Sequence, residues 1–158
     1  MTVLGRLLPL AFRLAQPLAR VKRGVSLGVR GAVFEANGRV LLVRHTYAPG
    51  WHFPGGGVEP GETAEEALGR ELMEEGGVGL TTRPKLFGVY LNRPASRRDH
   101  VLLFVCRDWT REREPRLPTL EIAEIAFFWP AALPDAVSGG TRRRLAEIVD
   151  GAEQSADW

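Results

Sequence analysis

Three glutamates at helical spacing, Glu71, Glu74 and Glu75, are the residues of this sequence best suited to chemistry. At positions i, i+3 and i+4 their carboxylates would share one face of an α-helix. Three anions this close repel one another, and we expect no cation within the same turn to offset them. A divalent cation among them would remove the repulsion, and an oxygen-only ligand set favours Mg²⁺ or Mn²⁺. The alternative is that an acid-rich helix is only a solvated face.

A helix over residues 63–75 would hold these carboxylates in place. Thr63 is a good N-cap, and acidic residues fall in the first turn, where the helix dipole favours them. Gly76 and Gly77 are expected to end the helix, one of them in the left-handed conformation. Apolar residues recur at helical spacing along the segment, namely Ala64, Ala67, Leu68 and Leu72.

The glutamates belong to a longer pattern that begins at a run of glycines before the helix. Its fixed positions are, in order, Gly56, Glu62, Arg70, Glu71, Leu72, Glu74, Glu75, Gly77 and Val78. The stretch resembles the Nudix box, and every fixed position of that box is matched. Because the pattern is spread over glycine, acid, base and apolar classes, it is specific. The sequence departs only at free positions, with Gly76 and with Gly69, which costs about 1 kcal/mol relative to Ala inside a helix.

The resemblance implies hydrolysis of a nucleoside diphosphate linked to another group, X. Water attacks a phosphorus of the diphosphate, and the nucleotide and phosphorylated X leave. Bound cations would neutralise charge on the phosphate oxygens and orient the chain. Glu71, Glu74 and Glu75 are the implied metal ligands, and the carbonyl of Gly56 is a further candidate ligand.

Supporting roles follow for other residues of the box. Arg70 is interpreted as an orienting residue paired with Glu71 or Glu62, since a free guanidinium beside the cations would compete with them. Glu62 is interpreted as structural, holding the loop onto the helix, and Gly77 as the residue that helps to end the helix.

The general base stays open at this point. Glu74 or Glu71 could double as the base, but many relatives of this kind take it from outside the box. Glu121, just before the last predicted strand, sits where such an acid is often found, and Glu124 is the alternative. Each could equally be a surface acid.

Candidate substrate-binding residues lie on both sides of the box. Arg44 and His45 end a predicted strand beside it and could meet the phosphates. Trp51 and Phe53 could stack on a base, although aromatic residues at such positions are more often core. A later basic loop that includes Arg98 could bind a terminal phosphate or be solvated. The loop holds Arg93, Arg97, Arg98 and His100, with Asp99 as an expected partner of Arg98.

The order of elements predicts an α+β fold, an α/β/α sandwich in which a mixed β-sheet is packed between helices. Asn37-Gly38 predicts a hairpin between the first two strands. Thr141 is expected to cap a last helix that ends near residue 150, and residues 109–120 are expected to form a loop or edge. The predicted strands are 24–36, 39–44, 85–92, 100–107 and 124–129.

The composition predicts one soluble domain over residues 24–158, because the 158-residue chain is 44% hydrophobic and 25% charged. A single cysteine, Cys106, excludes an internal disulfide and fits a reducing compartment, so we expect a cytoplasmic protein.

Residues 1–23 differ from the rest as a basic, amphipathic N-terminal segment. Three interpretations stay open: a helix docked on the domain or on a partner subunit of a homodimer, a peripheral contact with a membrane surface, or a loose arm. A transit peptide would also fit the composition.

Two other functions compete with hydrolysis of a small nucleotide. A non-catalytic Nudix module that binds a nucleotide and regulates a partner is disfavoured by the intact acids of the box. An RNA-end pyrophosphohydrolase would need a broad basic face, whereas the basic residues cluster at the N-terminus and in one loop. No specific nucleic acid partner is therefore predicted.

Overall fold

The structure is a computed structural model that describes residues 24–158. The N-terminal segment 1–23, with its predicted contacts, lies outside the described residues. The strands are β1 (Ser26–Val33), β2 (Val40–His45), β3 (Trp51–His52), β4 (Val78–Leu80), β5 (Lys85–Leu91), β6 (Asp99–Cys106), β7 (Trp109–Arg111) and β8 (Ile122–Phe128). The helices are α1 (Ala64–Gly76) and α2 (Gly139–Leu145), with a 3₁₀ turn over Pro130–Ala132.

The strands form two three-stranded sheets and a two-stranded ribbon. The first sheet has the order β1-β6-β5, with β1 parallel to β6 and β5 antiparallel to it. The second has the order β3-β2-β8 and is antiparallel, and β4 pairs with β7 in the ribbon. The α+β class with mixed strand directions is confirmed, although the strands divide into three sheets instead of one.

The turn at Asn37-Gly38 exists, but the hairpin predicted around it is wrong. Gly38 takes a positive φ of 95°, and the Glu35 N–H donates to the carbonyl of Arg39 at 2.9 Å. Beyond one bridge between Phe34 and Val40 the two strands separate into different sheets. The turn could therefore be predicted from its local sequence, but the pairing partners of each strand depend on contacts with residues far apart in the chain.

Helix α1 begins and ends close to its predicted limits. Thr63 caps it through a capping box with Glu66, and Gly77 follows it at φ 62° as the left-handed residue. Its fully buried face packs on a core cluster built from both sheets. That face consists of Ala67, Leu68 and Leu72, and its cluster partners include Val29, Val33, Leu41 and Phe104.

Helix α2 begins earlier than predicted, because Ser138 and not Thr141 is the N-cap. The Ser138 hydroxyl accepts the N–H of Thr141, and Thr141 is itself buried inside the first turn. The helix continues as a π-helix over Ala146–Asp150 and packs on a second core cluster. Within residues 24–158, no helix has the length and apolarity required to cross a membrane.

Candidate active site

The glycine loop before α1 is held against the C-terminal half of that helix. The Gly55 N–H donates to Glu75 Oε2 at 2.8 Å, and the Gly55 carbonyl accepts from Arg30 Nη1. Gly55 has a φ of 139°, and a Cβ there would lie 2.1 Å from the Val29 carbonyl oxygen. Only glycine fits at this position, so the loop is bound tightly between β1 and α1.

Gly56 makes room for the carboxylate of Glu71. A Cβ on Gly56 would lie 2.3 Å from Glu71 Oε1, so the absence of a side chain allows the carboxylate to approach the loop. The Gly56 carbonyl accepts the N–H of Val29 at 2.8 Å, which uses one of its two acceptor positions. Its role as a metal ligand stays a prediction.

Arg70 has the paired position that was predicted for it. Its Nε donates to Glu62 Oε1 at 2.9 Å, and its Nη1 donates to Glu71 Oε1 at 2.7 Å. Arg70 Nη1 also lies 3.7 Å from Glu74 Oε2, so the expectation that no cation offsets the carboxylates within the turn is wrong. Glu62 accepts the Glu59 N–H as well, and the hydrogen bond from Arg70 is the main cause that lowers the Glu62 pKa.

Glu75 is a buried carboxylate with little to stabilise its charge. Burial raises the pKa of Glu75 to about 7, and the Gly55 N–H and the charge of Arg30 oppose that rise. Its Oε1 lies 3.9 Å from Nδ1 of the buried His45, beyond hydrogen-bonding distance. Burial likewise lowers the pKa of His45 to about 4, and His45 Nδ1 has no hydrogen-bond partner.

The three carboxylates of α1 are not arranged as a ready set of metal ligands in this conformation, although Glu71 and Glu75 both lie against the glycine loop. Among residues 24–158, no group of three or more His, Cys, Asp or Glu side chains has metal-ligand spacing. Each carboxylate has different surroundings. Glu71 accepts a hydrogen bond from Arg70, and Glu75 accepts one from the Gly55 N–H. The side chain of Glu74 is 59% exposed.

The donor chemistry around Gly55 and Gly56 nevertheless fits a hard divalent cation. Glu71 and Glu75 are carboxylates held against the same short loop, and the Gly55 N–H donates to Oε2 of Glu75, which leaves Oε1 for another partner. Oxygen donors of this kind are those that Mg²⁺ and Mn²⁺ prefer, and a cation there would offset the charge of Glu75. Glu71 and Glu75 would hold it, with the exposed Glu74 at the rim.

Glu121 and Glu124, the two candidates for the base outside α1, have different surroundings. Glu121 lines a cavity of about 410 Å³ together with Glu74 and Glu75. Its backbone is fixed there, since the Thr46 N–H donates to the Glu121 carbonyl at 2.8 Å. Glu124 instead forms an ion pair with Arg44 across β2 and β8. The structure thus brings Glu121 and not Glu124 to the acids of α1.

A larger cavity of about 1010 Å³ begins at the glycine loop. Its lining includes Arg30, which sequence reasoning missed although it stands alone as a charge in a strand of small and apolar residues. Gly28, Arg30 and Ala32 lie on one face of β1, and Arg30 is the charged residue of that face that meets the loop. The lining also includes Gly56 and Gly57, His52 and Phe53, the loop residues Asn92, Pro94 and Ala95, Asp99 at the start of β6, the start of α2, and Trp158.

The predicted substrate-binding residues are mostly engaged elsewhere. Arg44 pairs with Glu124, and His45 is buried beside Glu75. Phe53 is fully buried, and Trp51 packs edge-on against Phe128 at 4.8 Å between ring centroids. Phe53 therefore belongs to the core, the alternative that the sequence analysis favoured for these aromatic residues, and stacking of a base on the partly exposed Trp51 stays a prediction.

The basic loop after β5 also differs from expectation. Arg93 pairs with Asp157 at 2.6 Å, and Asp99 accepts from Ser26 and Asn92 instead of Arg98. Arg98 is exposed, and its role in phosphate binding stays a prediction.

The chain is similar to known proteins in sequence and in fold. The family model for the NUDIX domain matches residues 25–148. The chain is 31% identical over 121 residues to the "Putative 8-oxo-dGTP diphosphatase" of Bacillus subtilis (strain 168), covering 77% of this chain and 78% of that protein. It is 39% identical to the RNA pyrophosphohydrolase of Erwinia tasmaniensis, but over only 79 residues, which are 50% of this chain and 35% of that protein.

Among solved structures, the MutT NUDIX hydrolase from Burkholderia pseudomallei superposes with a TM-score of 0.67 at 26% identity. The match covers 78% of this chain and 98% of that structure. With a matching family model over most of the chain and a box whose loop and helix are folded against each other, this chain belongs to the Nudix hydrolase family.

Proposed function

We propose that this chain hydrolyses a pyrophosphate bond in a nucleoside diphosphate linked to another group, with the help of Mg²⁺ or Mn²⁺. One observation carries the proposal: α1 holds Glu71 and Glu75 against a glycine loop that lines the 1010 Å³ cavity. A cavity of that size suits a nucleotide, and the carboxylates stand where its diphosphate would meet divalent cations.

Each charged group near the loop has a distinct task in this proposal. A divalent cation, when bound, supplies positive charge that neutralises the diphosphate oxygens. Arg30 binds a phosphate oxygen from the floor of the cavity, since its guanidinium is fixed by the Gly55 carbonyl and faces the same space. Glu121, which lines a cavity together with Glu74 and Glu75, accepts the proton of the attacking water.

The first substrates to test are nucleoside triphosphates, because the relative matched along most of both chains is named for one. Nucleotide sugars and ADP-ribose-like compounds are the second group. An RNA-end activity has weaker support, since the RNA pyrophosphohydrolases match half of this chain and about a third of their own length. A non-catalytic binding module is disfavoured, because the box acids and Arg70 are all present.

A substrate panel tests the proposal directly. Canonical and 8-oxo nucleoside triphosphates, nucleotide sugars, ADP-ribose, dinucleotide polyphosphates and a 5′-triphosphate RNA are incubated with Mg²⁺, with Mn²⁺ or with excess EDTA. Release of a nucleotide and a phosphorylated product is followed by chromatography. We expect turnover of at least one small nucleotide with a cation and none with EDTA; full turnover in EDTA would contradict the proposal.

The proposed partners can be tested on the same preparation. Homodimer formation and contact of residues 1–23 with anionic lipid stay predictions. Light scattering and vesicle co-sedimentation of the full chain, compared with a chain lacking residues 1–22, test both. Hydrolysis of a soluble substrate by the shorter chain should be largely unchanged, because every residue of the box lies downstream.

A further inference from the structure

The residues after α2 fold back and join the first sheet beside the large cavity. The Leu91 N–H donates to the carbonyl of Ala156 at 2.9 Å, and the Trp158 N–H donates to the carbonyl of Leu91 at 3.0 Å. These bonds form a parallel bridge between Leu91 and Asp157 at the end of β5. We call residues 152–158 the tail; it acts as a short extra strand at the edge of the sheet.

A buried arginine of α2 holds the tail in place by hydrogen bonds. Arg144 of α2 is fully buried, and it donates to Glu147 Oε1 and to the carbonyl of Asp157, both at 2.6 Å. Glu147 also accepts the Ser155 N–H at 3.0 Å, so the ion pair binds the tail at two points. A buried pair with these added hydrogen bonds has one favourable geometry, so the tail is held in a defined position.

This anchoring places the Trp158 indole in the wall of the cavity. The ring lies over Gly140 so closely that a Cβ there would be 2.4 Å from Nε1 and 2.8 Å from Cδ1. Edge-to-face contacts with Tyr90, at 5.7 Å between centroids, and with Phe53, at 6.5 Å, orient it further. Trp158 is partly exposed and lines the cavity, whereas Phe53, which lines the same cavity, is fully buried.

We propose that Trp158 is the stacking surface for the nucleobase of the substrate, an inference that rests on the proposed function. The glycine loop, where the diphosphate would be held, and Trp158 line the same cavity. A base is planar and stacks on any aromatic face, which suits an indole held rigid by its neighbours. Next to it, the Asn92 amide donates to Asp99 Oδ2 at 2.8 Å, and both line the cavity, where they could bind polar edges of a base.

Substitution of Trp158 tests the inference on the full chain, with the most active nucleotide of the panel. Trp158→Ala should raise KM by roughly 5- to 150-fold, the usual worth of stacking on one base, while kcat stays within about threefold. Trp158→Phe should retain KM within a few-fold, because a flat ring remains. Trp129→Ala is the matched control: Trp129 is 51% exposed and does not line the cavity, so KM should not change.

Inhibition by reaction products separates stacking from a general structural effect. The inhibition constant of the nucleoside monophosphate should rise in Trp158→Ala in parallel with KM, whereas that of inorganic pyrophosphate, which has no base, should not. If both constants rise equally, or if KM is unchanged in Trp158→Ala, the inference is wrong.

Two further measurements keep the result interpretable. If Trp158→Ala fails to fold by circular dichroism, Trp158→Leu supplies the non-aromatic comparison with Trp158→Phe: a raised KM for the leucine variant alone supports stacking, and equal KM values contradict it. If the wild-type chain turns over nothing in the panel, the proposed function fails by itself. Calorimetric titration with nucleoside monophosphates then tests the role of Trp158. Binding to the wild-type chain that is lost in Trp158→Ala supports the inference. No binding to the wild-type chain, or equal binding to both chains, refutes it.

Discussion

Two glutamates, Glu75 and Glu147, are each 7% exposed, yet their surroundings differ in the groups that offset the negative charge. Glu147 lies below the tail and accepts from three donors, which are the Arg144 guanidinium, the Ser155 N–H and the Tyr90 hydroxyl. Glu75 lies beside the glycine loop and accepts from one, the Gly55 N–H. No described residue within 4 Å offers it a permanent positive charge.

The difference indicates which buried charge serves folding and which serves chemistry. A buried carboxylate with a bonded arginine and satisfied oxygens holds its neighbours in place. A buried carboxylate without such partners lowers stability unless a ligand offsets its charge, so the fold retains it at a cost. Glu147 therefore belongs to the scaffold that fixes the tail, and Glu75 belongs to the proposed cation site.

The largest expected effect tests the functional member of this pair. Glu75→Gln should lower kcat/KM by roughly 10³-fold or more, since a ligand worth several kcal/mol of transition-state stabilisation is lost. In EDTA the same variant should unfold at an equal or higher denaturant concentration, because a buried charge has been removed. Steady-state kinetics and urea unfolding measure the two quantities; a large loss of stability in EDTA would make Glu75 a structural residue.

The second prediction asks whether the charge across from Glu75 supplies the base. Glu121→Gln should lower kcat by roughly 10²- to 10⁴-fold, the usual worth of general base catalysis, and flatten the acidic limb of the pH–rate profile. Affinity for Mn²⁺, followed by its paramagnetic effect on water relaxation, should change little. Glu124→Gln is the matched control, because Glu124 pairs with Arg44. If Glu124→Gln shows the large effect and Glu121→Gln does not, the base is misassigned.

The third prediction concerns the structural member of the pair. Arg144→Met should lower the free energy of unfolding by roughly 3–5 kcal/mol, because it leaves Glu147 buried and without its cation. The double substitution Arg144→Met with Glu147→Leu should recover part of that loss, since no unpaired charge remains. Urea unfolding measures each variant. A double variant less stable than Arg144→Met would show that the hydrogen bonds of Glu147 to Tyr90 and Ser155 matter more than its ion pair.

The parts of the molecule that sequence could predict are those encoded locally. The capping box at Thr63, the left-handed Gly77 and the pairing of Arg70 with Glu62 and Glu71 all lie within one short stretch. For this reason the box and its helix were predicted nearly residue by residue, and the fold class followed from the order of elements. The three-residue strand β4 was missed, and residues 109–120 were predicted only as a loop or edge although they begin with β7, because these two strands pair only with each other across a long separation.

The parts that sequence could not predict depend on tertiary packing. Glu74 and Glu75 are neighbours with the same chemistry, but only the packing of α1 decides that one is exposed and the other buried. The wall of the cavity is assembled from segments far apart in the chain, so Trp158 carried no local signal that it lines the cavity, and the only signal of Arg30 was its lone charge in β1. For the same reason the sequence left the role of Phe53 open between core and stacking surface, because an aromatic residue in a core and one in a binding wall look alike in sequence.

The smallest expected effect is the pH dependence of stability in EDTA, where two buried groups oppose each other. Glu75 has its pKa raised to about 7 in the fold, so its favourable contribution is present below about pH 4.5 and is lost as pH rises through 7. His45 has its pKa lowered to about 4, so its contribution is present above about pH 6.5 and is lost as pH falls through 4. Between these limits the two slopes have opposite signs.

The wild-type chain should therefore show only a shallow change in unfolding free energy between pH 4.5 and 6.5, and single variants should expose the hidden slopes. In Glu75→Gln, stability should rise with pH across this range by up to about 3 kcal/mol, because His45 is then the one of these two buried groups that still titrates. In His45→Gln, stability should fall with pH by a similar amount, because only Glu75 remains. Arg30 and His52 face His45, and Arg30, Glu71 and Glu121 face Glu75, but these groups are common to the three chains. Urea unfolding at half-unit pH steps measures the unfolding free energy of each chain. If the three plots of unfolding free energy against pH are parallel, neither group is held in the protonation state that its burial favours.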